Sequence, residues 1–220
     1  MSHVLDRPFW HALNGPQADL ARWNEARDAC RIDPDYGPFG GGEGLAELLS
    51  GPQDEIWVVE PQVVHAKGLV VRQAARLVQM VAQDGINLCD LTDIVELDER
   101  HMPQMAALAL ANKPGPWGAK TQAYGQFYGI FDGPRLVAMA GERARPAVGW
   151  AEVSGVCTDP AYRGRGLAAQ LIRRVMAGFA ARGDAAYLHS WASNGAAIAL
   201  YEQLGFRIRR EMVASVVGLG

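Results

Sequence analysis

Cysteine is scarce in this chain: three residues, Cys30, Cys89 and Cys157, stand far apart in 220. An odd, scattered set cannot build a disulfide framework and points to a reducing compartment. None of the three falls at metal-ligand spacing with the five histidines, so no metal centre is expected. Long apolar runs are missing as well. No stretch reaches membrane-spanning length, and residues 1–7 do not have the pattern of a signal peptide. Charge of either sign is moderate, 20% of residues with a net charge of −3, and there is no basic tract. These absences argue against nucleic acid and membranes as partners and make the cytoplasm the expected location. Internal repeats and low-complexity segments are also lacking.

What the chain does contain is an ordinary globular composition, 49% hydrophobic, and enough length for one good core with a smaller second one. The first 90 residues read as a mixed α/β segment with many breaks. Gly15-Pro16 predicts a short helix running through Trp23, and the Pro/Gly-rich stretch 33–42 reads as a loop. A short helix is expected at 45–49 and strands at 56–59 and 69–71, while 77–82 suits either a strand or a helix end before Asp84-Gly85. From residue 91 the pattern is clearer. A strand at 94–97 leads to a helix capped by Asp98 and running to Asn112, and a Pro/Gly break follows at 113–118. Strands at 127–131 and 136–142 flank the hairpin signal Asp132-Gly133-Pro134, and another strand spans 150–157. A helix with an inner stripe of Leu167, Leu171, Ile172, Val175, Met176 and Phe179 ends at Gly183. A strand at 187–191, a helix capped by Asn194 and a last strand at 206–217 complete the chain.

The most informative stretch is Arg163-Gly164-Arg165-Gly166-Leu167-Ala168, between the strand ending near Thr158 and the long helix. Two glycines with no acidic side chain let the backbone curl so that several N–H groups face one small volume. The helix behind them adds the positive end of its dipole, which suits a phosphate or pyrophosphate. A P-loop would need Gly-Lys-Ser/Thr, and here Leu167 follows Gly166. A dinucleotide fingerprint would need a third glycine where Ala169 stands.

The wider segment from Val156 to Ala168 resembles the acetyl-CoA-binding motif of the GCN5-related N-acetyltransferase (GNAT) superfamily, with Arg163, Gly166 and Ala168 at the motif's places. Asn194 and the run from Ala196 to Phe206 are similar to the closing motif of the same family. The resemblance covers about residues 91–217. Leu136–Arg143 and Glu152–Thr158 look like its glycine N-acyltransferase branch, which often carries a degenerate half-domain in front. The resemblance implies an α/β (α+β) fold, a mixed and mainly antiparallel sheet flanked by helices. It divides the chain into an N-terminal α/β segment, 1–90, and an acetyltransferase domain, 91–220. It also implies acetyl-CoA as co-substrate with no metal, and transfer of an acetyl group to a primary amine of a small molecule or peptide. A longer acyl donor and a non-catalytic CoA-binding module are the rival readings, and either a monomer or a homodimer is open.

Site roles follow from the same resemblance. Backbone amides of Gly164, Arg165, Gly166, Leu167 and Ala168 would hold the pyrophosphate, with Arg163 and Arg165 either adding charge or lying solvated. Val156, Cys157 and Thr158 would flank the thioester. A bulge there would free a main-chain N–H for the carbonyl oxygen, Val156 being first choice and Gly155 easing the irregularity. Tyr201, two helical turns after Asn194, is the expected acid for the leaving thiolate or else a core aromatic. Asn194 is a helix cap with a secondary contact to the pantetheine arm. Glu152 is the expected base, directly or through water, against a solvent-facing or ion-paired carboxylate; Glu142 is either its rival or, with Arg143, a holder of substrate or a structural ion pair. Cys157 has no histidine partner nearby and is expected to be inert. His189, Trp191 and Trp117 either line the acceptor side or pack, and Trp10, Trp23 and Trp57 are expected in the core.

Overall fold

The computed structural model describes residues 3–83 and 93–220. The expected stop at Asp84-Gly85, the thiol of Cys89 and the start of the second part at Leu91 lie outside them. The N-terminal elements are α1 (Pro8–Leu13), β1 (Ala21–Trp23), β2 (Ala29–Ile32), β3 (Gly40–Gly42), β4 (Ile56–Glu60) and β5 (Leu69–Ala82). There follow β6 (Val95–Leu97), α2 (Met102–Asn112), β7 (Phe127–Asp132), β8 (Arg135–Glu142), β9 (Trp150–Thr158), α3 (Leu167–Ala181), β10 (Ala185–Trp191), α4 (Gly195–Gln203) and β11 (Phe206–Leu219). Most of the expected elements are present. Asp98 caps a 3-10 turn that runs into α2, and Asn194 caps α4 by accepting from the Ala197 amide.

The N-terminal segment departs from expectation. A helix forms earlier, at Pro8–Leu13, because Phe9, Ala12 and Leu13 bury themselves against the strands behind. The helix expected through Trp23 is only a 3-10 turn, Ala18–Leu20, before β1. Two sets of side-chain hydrogen bonds decide this. The Gln17 side chain accepts from the Arg145 amide and donates to the Arg143 carbonyl. The Asn24 side chain accepts from the amides of Asp28 and Ala29, closing the β1–β2 hairpin. The stretch read as a loop contains β3, where Gly40 approaches the Cys30 carbonyl and Ile56 so closely that a Cβ would lie 2.8 Å from each.

Strands β1–β3 form a small antiparallel sheet. The other eight form one sheet in the order β4-β11-β5-β10-β9-β8-β7-β6, antiparallel at every junction except β9–β10. The ambiguous run 77–82 is the second half of the 14-residue β5. That strand, from the N-terminal segment, pairs with β10 on one side and along the whole of β11 on the other. Strands from both sides of the expected 90/91 division therefore share one sheet.

Each face has its own core. Helix α3 lays Leu171, Ile172, Val175 and Phe179 on Ala138, Ala140, Ala151 and Ala186, whose small side chains let the helix sit close. On the other face α2 covers Phe127, Met139 and Cys157, and α1 with Phe39 covers Val59, Leu77, Met212 and Ala214.

Candidate active site

The parallel pair β9–β10 holds only from Ala185↔Trp150 to Tyr187↔Glu152. Beyond that point no partners join the two strands among the described residues, and a cavity of about 130 Å³ lies between them. A β-bulge in β9 accompanies the separation. Ser154 pairs with Gly141 and Cys157 with Met139, so Gly155 and Val156 together oppose Ala140 alone. Gly155 has φ +62°, and a Cβ there would lie 2.7 Å from the Phe127 ring. Gly155→Ala is therefore expected to cost about 2 kcal/mol or more in urea unfolding, from the left-handed backbone and the clash together.

The glycine-rich turn sits where β9 passes into α3. Gly164 and Gly166 both have φ +76°, with open space where a Cβ would project. No side chain caps α3 and no acid occupies its first turn, so its leading amides are left for a ligand. Beside them the Thr158 hydroxyl is buried and has no hydrogen-bond partner among the described residues. Both arginines are engaged elsewhere. Arg163 donates to the Asn112 side chain at 2.8 Å and to the Thr158 carbonyl, and Arg165 lies over the Tyr162 ring while donating to the Ala161 carbonyl. The backbone from Gly164 to Ala168 is what the turn offers to an anion.

The cavity brings Val156, Asn194 and Tyr201 together with Arg143, His189 and Trp191. Burial, with Cys157 nearby, pushes the Tyr201 phenol up to about 12. Burial likewise pushes the Cys157 thiol to about 12, which suits the inert role expected of it. Among the described residues no His/Cys/Asp/Glu group could hold a metal. Trp117 packs edge-on against Phe127 beside the cavity rather than over it.

Glu152 is fully buried beneath this cavity, and its oxygens are saturated. Oε1 accepts from Arg143 and from His189 Nδ1, both at 2.7 Å; Oε2 accepts from Arg143 Nε at 2.9 Å and the Ala144 amide at 3.3 Å. Four donors fill the lone-pair positions of a carboxylate. Burial alone raises this carboxyl, but Arg143 and His189 outweigh it and hold it down at about 2. Glu142 points the other way, ion-paired with Arg182 at 2.7 Å, and burial raises its carboxyl.

His189 is fixed from its other side too. Arg209, a pure donor, reaches Gln79 Oε1 at 2.7 Å, so the Gln79 amide nitrogen must face the ring; it donates to His189 Nε2 at 2.9 Å and to the Leu5 carbonyl. The pattern selects the tautomer with the ring proton on Nδ1, aimed at Glu152. The register shift between Ile208 and Arg210 in β11 is what turns Arg209 toward Gln79.

Sequence reasoning offered Arg143 only as a partner of Glu142 for substrate or a structural ion pair, whereas it lines the cavity paired with Glu152, and it passed over the N-terminal wall of Phe39, Trp57, Val59 and Leu77. An arginine directly after a strand rich in apolar and small residues was a usable signal for the first. For the wall there was none, since it depends on where β4 and β5 enter the sheet.

Comparison with known proteins agrees with this architecture. The FR47-like protein family matches residues 127–214, the part holding the turn, the bulge and Tyr201. A structure from Novosphingobium aromaticivorans assigned to the GNAT acetyltransferases is 54% identical over 100% of both chains, with a TM-score of 0.95. A GCN5-related N-acetyltransferase-like protein from Streptococcus suis shares the fold at 12% identity, with a TM-score of 0.61 over 96% of this chain and 92% of that one. The N-alpha-acetyltransferase RimI of Mycobacterium tuberculosis is 43% identical over 56 residues, 26% of this chain and 34% of RimI. The match thus spans about a third of that curated relative.

Proposed function

Because the chain belongs to the GNAT acetyltransferase family, we propose that it moves an acetyl group from acetyl-CoA to a primary amine by direct attack. The observation that carries this reading is the opening of β9 from β10 around Tyr201 and the acceptor cavity, with the glycine turn following where β9 passes into α3. The co-substrate supplies an activated thioester. The open glycine backbone, the uncapped helix and the unpartnered Thr158 hydroxyl fit its diphosphate and arm. In this reading residues 91–220 hold the donor, and residues 1–90 supply one wall of the acceptor site.

Binding and chemistry fall to different groups. Amides of 164–168 bind the diphosphate, and the Val156 amide at the bulge stabilises negative charge on the carbonyl oxygen, an effect worth several kcal/mol when such a donor is pre-aimed. The Tyr201 phenol, still protonated at neutral pH, donates to the departing sulfur, and the proton that the attacking nitrogen loses as the amide forms restores the phenol through water. Asn194 both caps α4 and faces the cavity. Glu152 serves as a positioning residue for Arg143 and His189. The small cavity supports a short acyl group over a long one, and the RimI match supports a peptide amine as one acceptor source.

With no carboxylate among the residues lining the cavity and the Arg143 cation within it, the site favours the neutral amine. Below the amine's own pKa, kcat/KM should therefore rise about tenfold per pH unit and then level off, with no fall below about pH 10 because Tyr201 keeps its proton. Release of free CoA thiol, screened against pooled amines across pH, tests the whole reading. Binding of acetyl-CoA with no transfer to any amine would leave a CoA-binding module instead.

A further inference from the structure

The acceptor side of the cavity has a chemistry of its own. Phe39, Trp57 and Trp191 form an aromatic corner, with Phe39–Trp57 and Trp57–Trp191 each meeting edge to face at 6.4 Å. Val59, Leu77 and Ala214 continue it as an apolar floor. The volume, about 130 Å³, is on the order of a site that holds one benzene ring.

Of the polar side chains lining the cavity (Arg143, Ser154, His189, Ser190, Asn194 and Tyr201), Arg143 is the cation beside the aromatic corner. The Arg143 guanidinium lies over the rings of Phe39 at 4.8 Å and Phe9 at 5.4 Å, and those two rings stack at 3.9 Å. Its Nε and one terminal nitrogen are taken by Glu152. Among the described residues Nη1 has no hydrogen-bond partner, and it faces the Pro114-Gly115-Pro116 edge of the cavity. Glu152 already balances the charge, so this remaining N–H suits a neutral carbonyl oxygen better than a second anion. No lining carboxylate is present to receive a second ammonium group.

Resting on the acetyl-transfer reading, we propose that the acceptor is an α-aminoacyl group, in which one carbon bears the primary amine, a carbonyl and an aromatic side chain. The aromatic side chain is held by Phe39, Trp57 and Trp191, and the carbonyl oxygen accepts from Arg143. The first residue of a peptide and an amino-acid amide carry this neutral carbonyl, whereas a free amino acid presents a carboxylate.

The test is calorimetric binding to the full chain in the presence of CoA, run beside thiol-release rates with acetyl-CoA. The probes are phenylalaninamide, phenylalanine, Phe-Gly-Gly, alaninamide, 2-phenylethylamine and 1,4-diaminobutane. Removing the ring, as in alaninamide, should weaken binding about tenfold or more. Removing the carbonyl, as in 2-phenylethylamine, should weaken it about fivefold. Trp191→Leu and, independently, Trp57→Leu should shrink the ring preference while leaving the carbonyl preference in place. Phe-Gly-Gly or phenylalaninamide binding more tightly than phenylalanine supports a neutral carbonyl on Arg143; phenylalanine binding more tightly would put a carboxylate there and overturn that assignment. Alaninamide or the diamine binding as tightly as phenylalaninamide overturns the proposal. Tight binding of phenylalaninamide without thiol release supports this assignment while removing acetyl transfer, so the two ideas fail separately.

Discussion

Tyr201→Phe is expected to lower kcat by about a hundredfold or more while the Kd for acetyl-CoA changes by less than about twofold. The substitution is unusually clean. The Tyr201 ring packs edge-on against Phe206 at 6.1 Å, a contact that phenylalanine keeps. Among the described residues its hydroxyl has no hydrogen-bond partner, so removing it breaks no structural bond, and stability should stay within about 0.5 kcal/mol. What is lost is a proton donor at the cavity, held at about 12 by burial and by Cys157. A thiolate leaving without that proton must depart as an anion into a poorly solvated site, and the cost falls on the transition state alone. A leaving group of lower pKa needs the donor less, so acetyl transfer from an activated thiol ester should be slowed far less by the variant. Equal kcat for the two proteins would return Tyr201 to the core. A parallel loss of kcat and of urea stability would make its role structural.

The sequence was most legible where structure is dictated locally. Gly164 and Gly166 could be singled out because only a left-handed backbone lets amides converge, and both have φ +76°. Of the α3 stripe read from helical spacing, Leu171, Ile172, Val175, Met176 and Phe179 form the buried face, while Leu167, at the first position of the helix, is only half-buried. The bulge at Val156 was implied by the family resemblance alone, with Gly155 read as easing it, and the register of β8 against β9 has one there. Legibility ended where the partner is distant. Nothing in residues 69–82 says that they insert between β10 and β11, about 100 residues or more later, yet this insertion brings Leu77 to the cavity. Trp57 reads as core from composition, but β4 lies at the edge of the sheet and turns it toward Trp191. Glu152 shows the same limit within the site. Its place on β9 is readable, whereas its saturation by Arg143, His189 and the Ala144 amide depends on the chain turning back twice.

That saturation gives Glu152→Gln the largest expected effect on stability. Arg143 would keep its buried charge and lose its counter-ion, and the amide would present a donor toward a guanidinium and an imidazole N–H that can only donate. Removing one member of such a pair costs about 3–5 kcal/mol, mainly the penalty of the stranded charge. In a chain of this length that is a fall in Tm of roughly 10 °C or more. Linkage gives the same sign: the carboxyl falls from its ordinary 4.5 to about 2 on folding. Because the folded value is the depressed one, this contribution is fully present above about pH 4.5 and disappears as pH falls toward 2. Urea unfolding of both proteins from pH 7 to pH 2.5 should therefore show the two stabilities converging on acidification. Arg143→Met combined with Glu152→Gln should recover more than half of the loss at pH 7, since no stranded cation remains. If the single variant is as stable as the parent at neutral pH, Glu152 is not the anchor of Arg143, and the positioning of the guanidinium over the acceptor cavity must come from Phe9 and Phe39 alone.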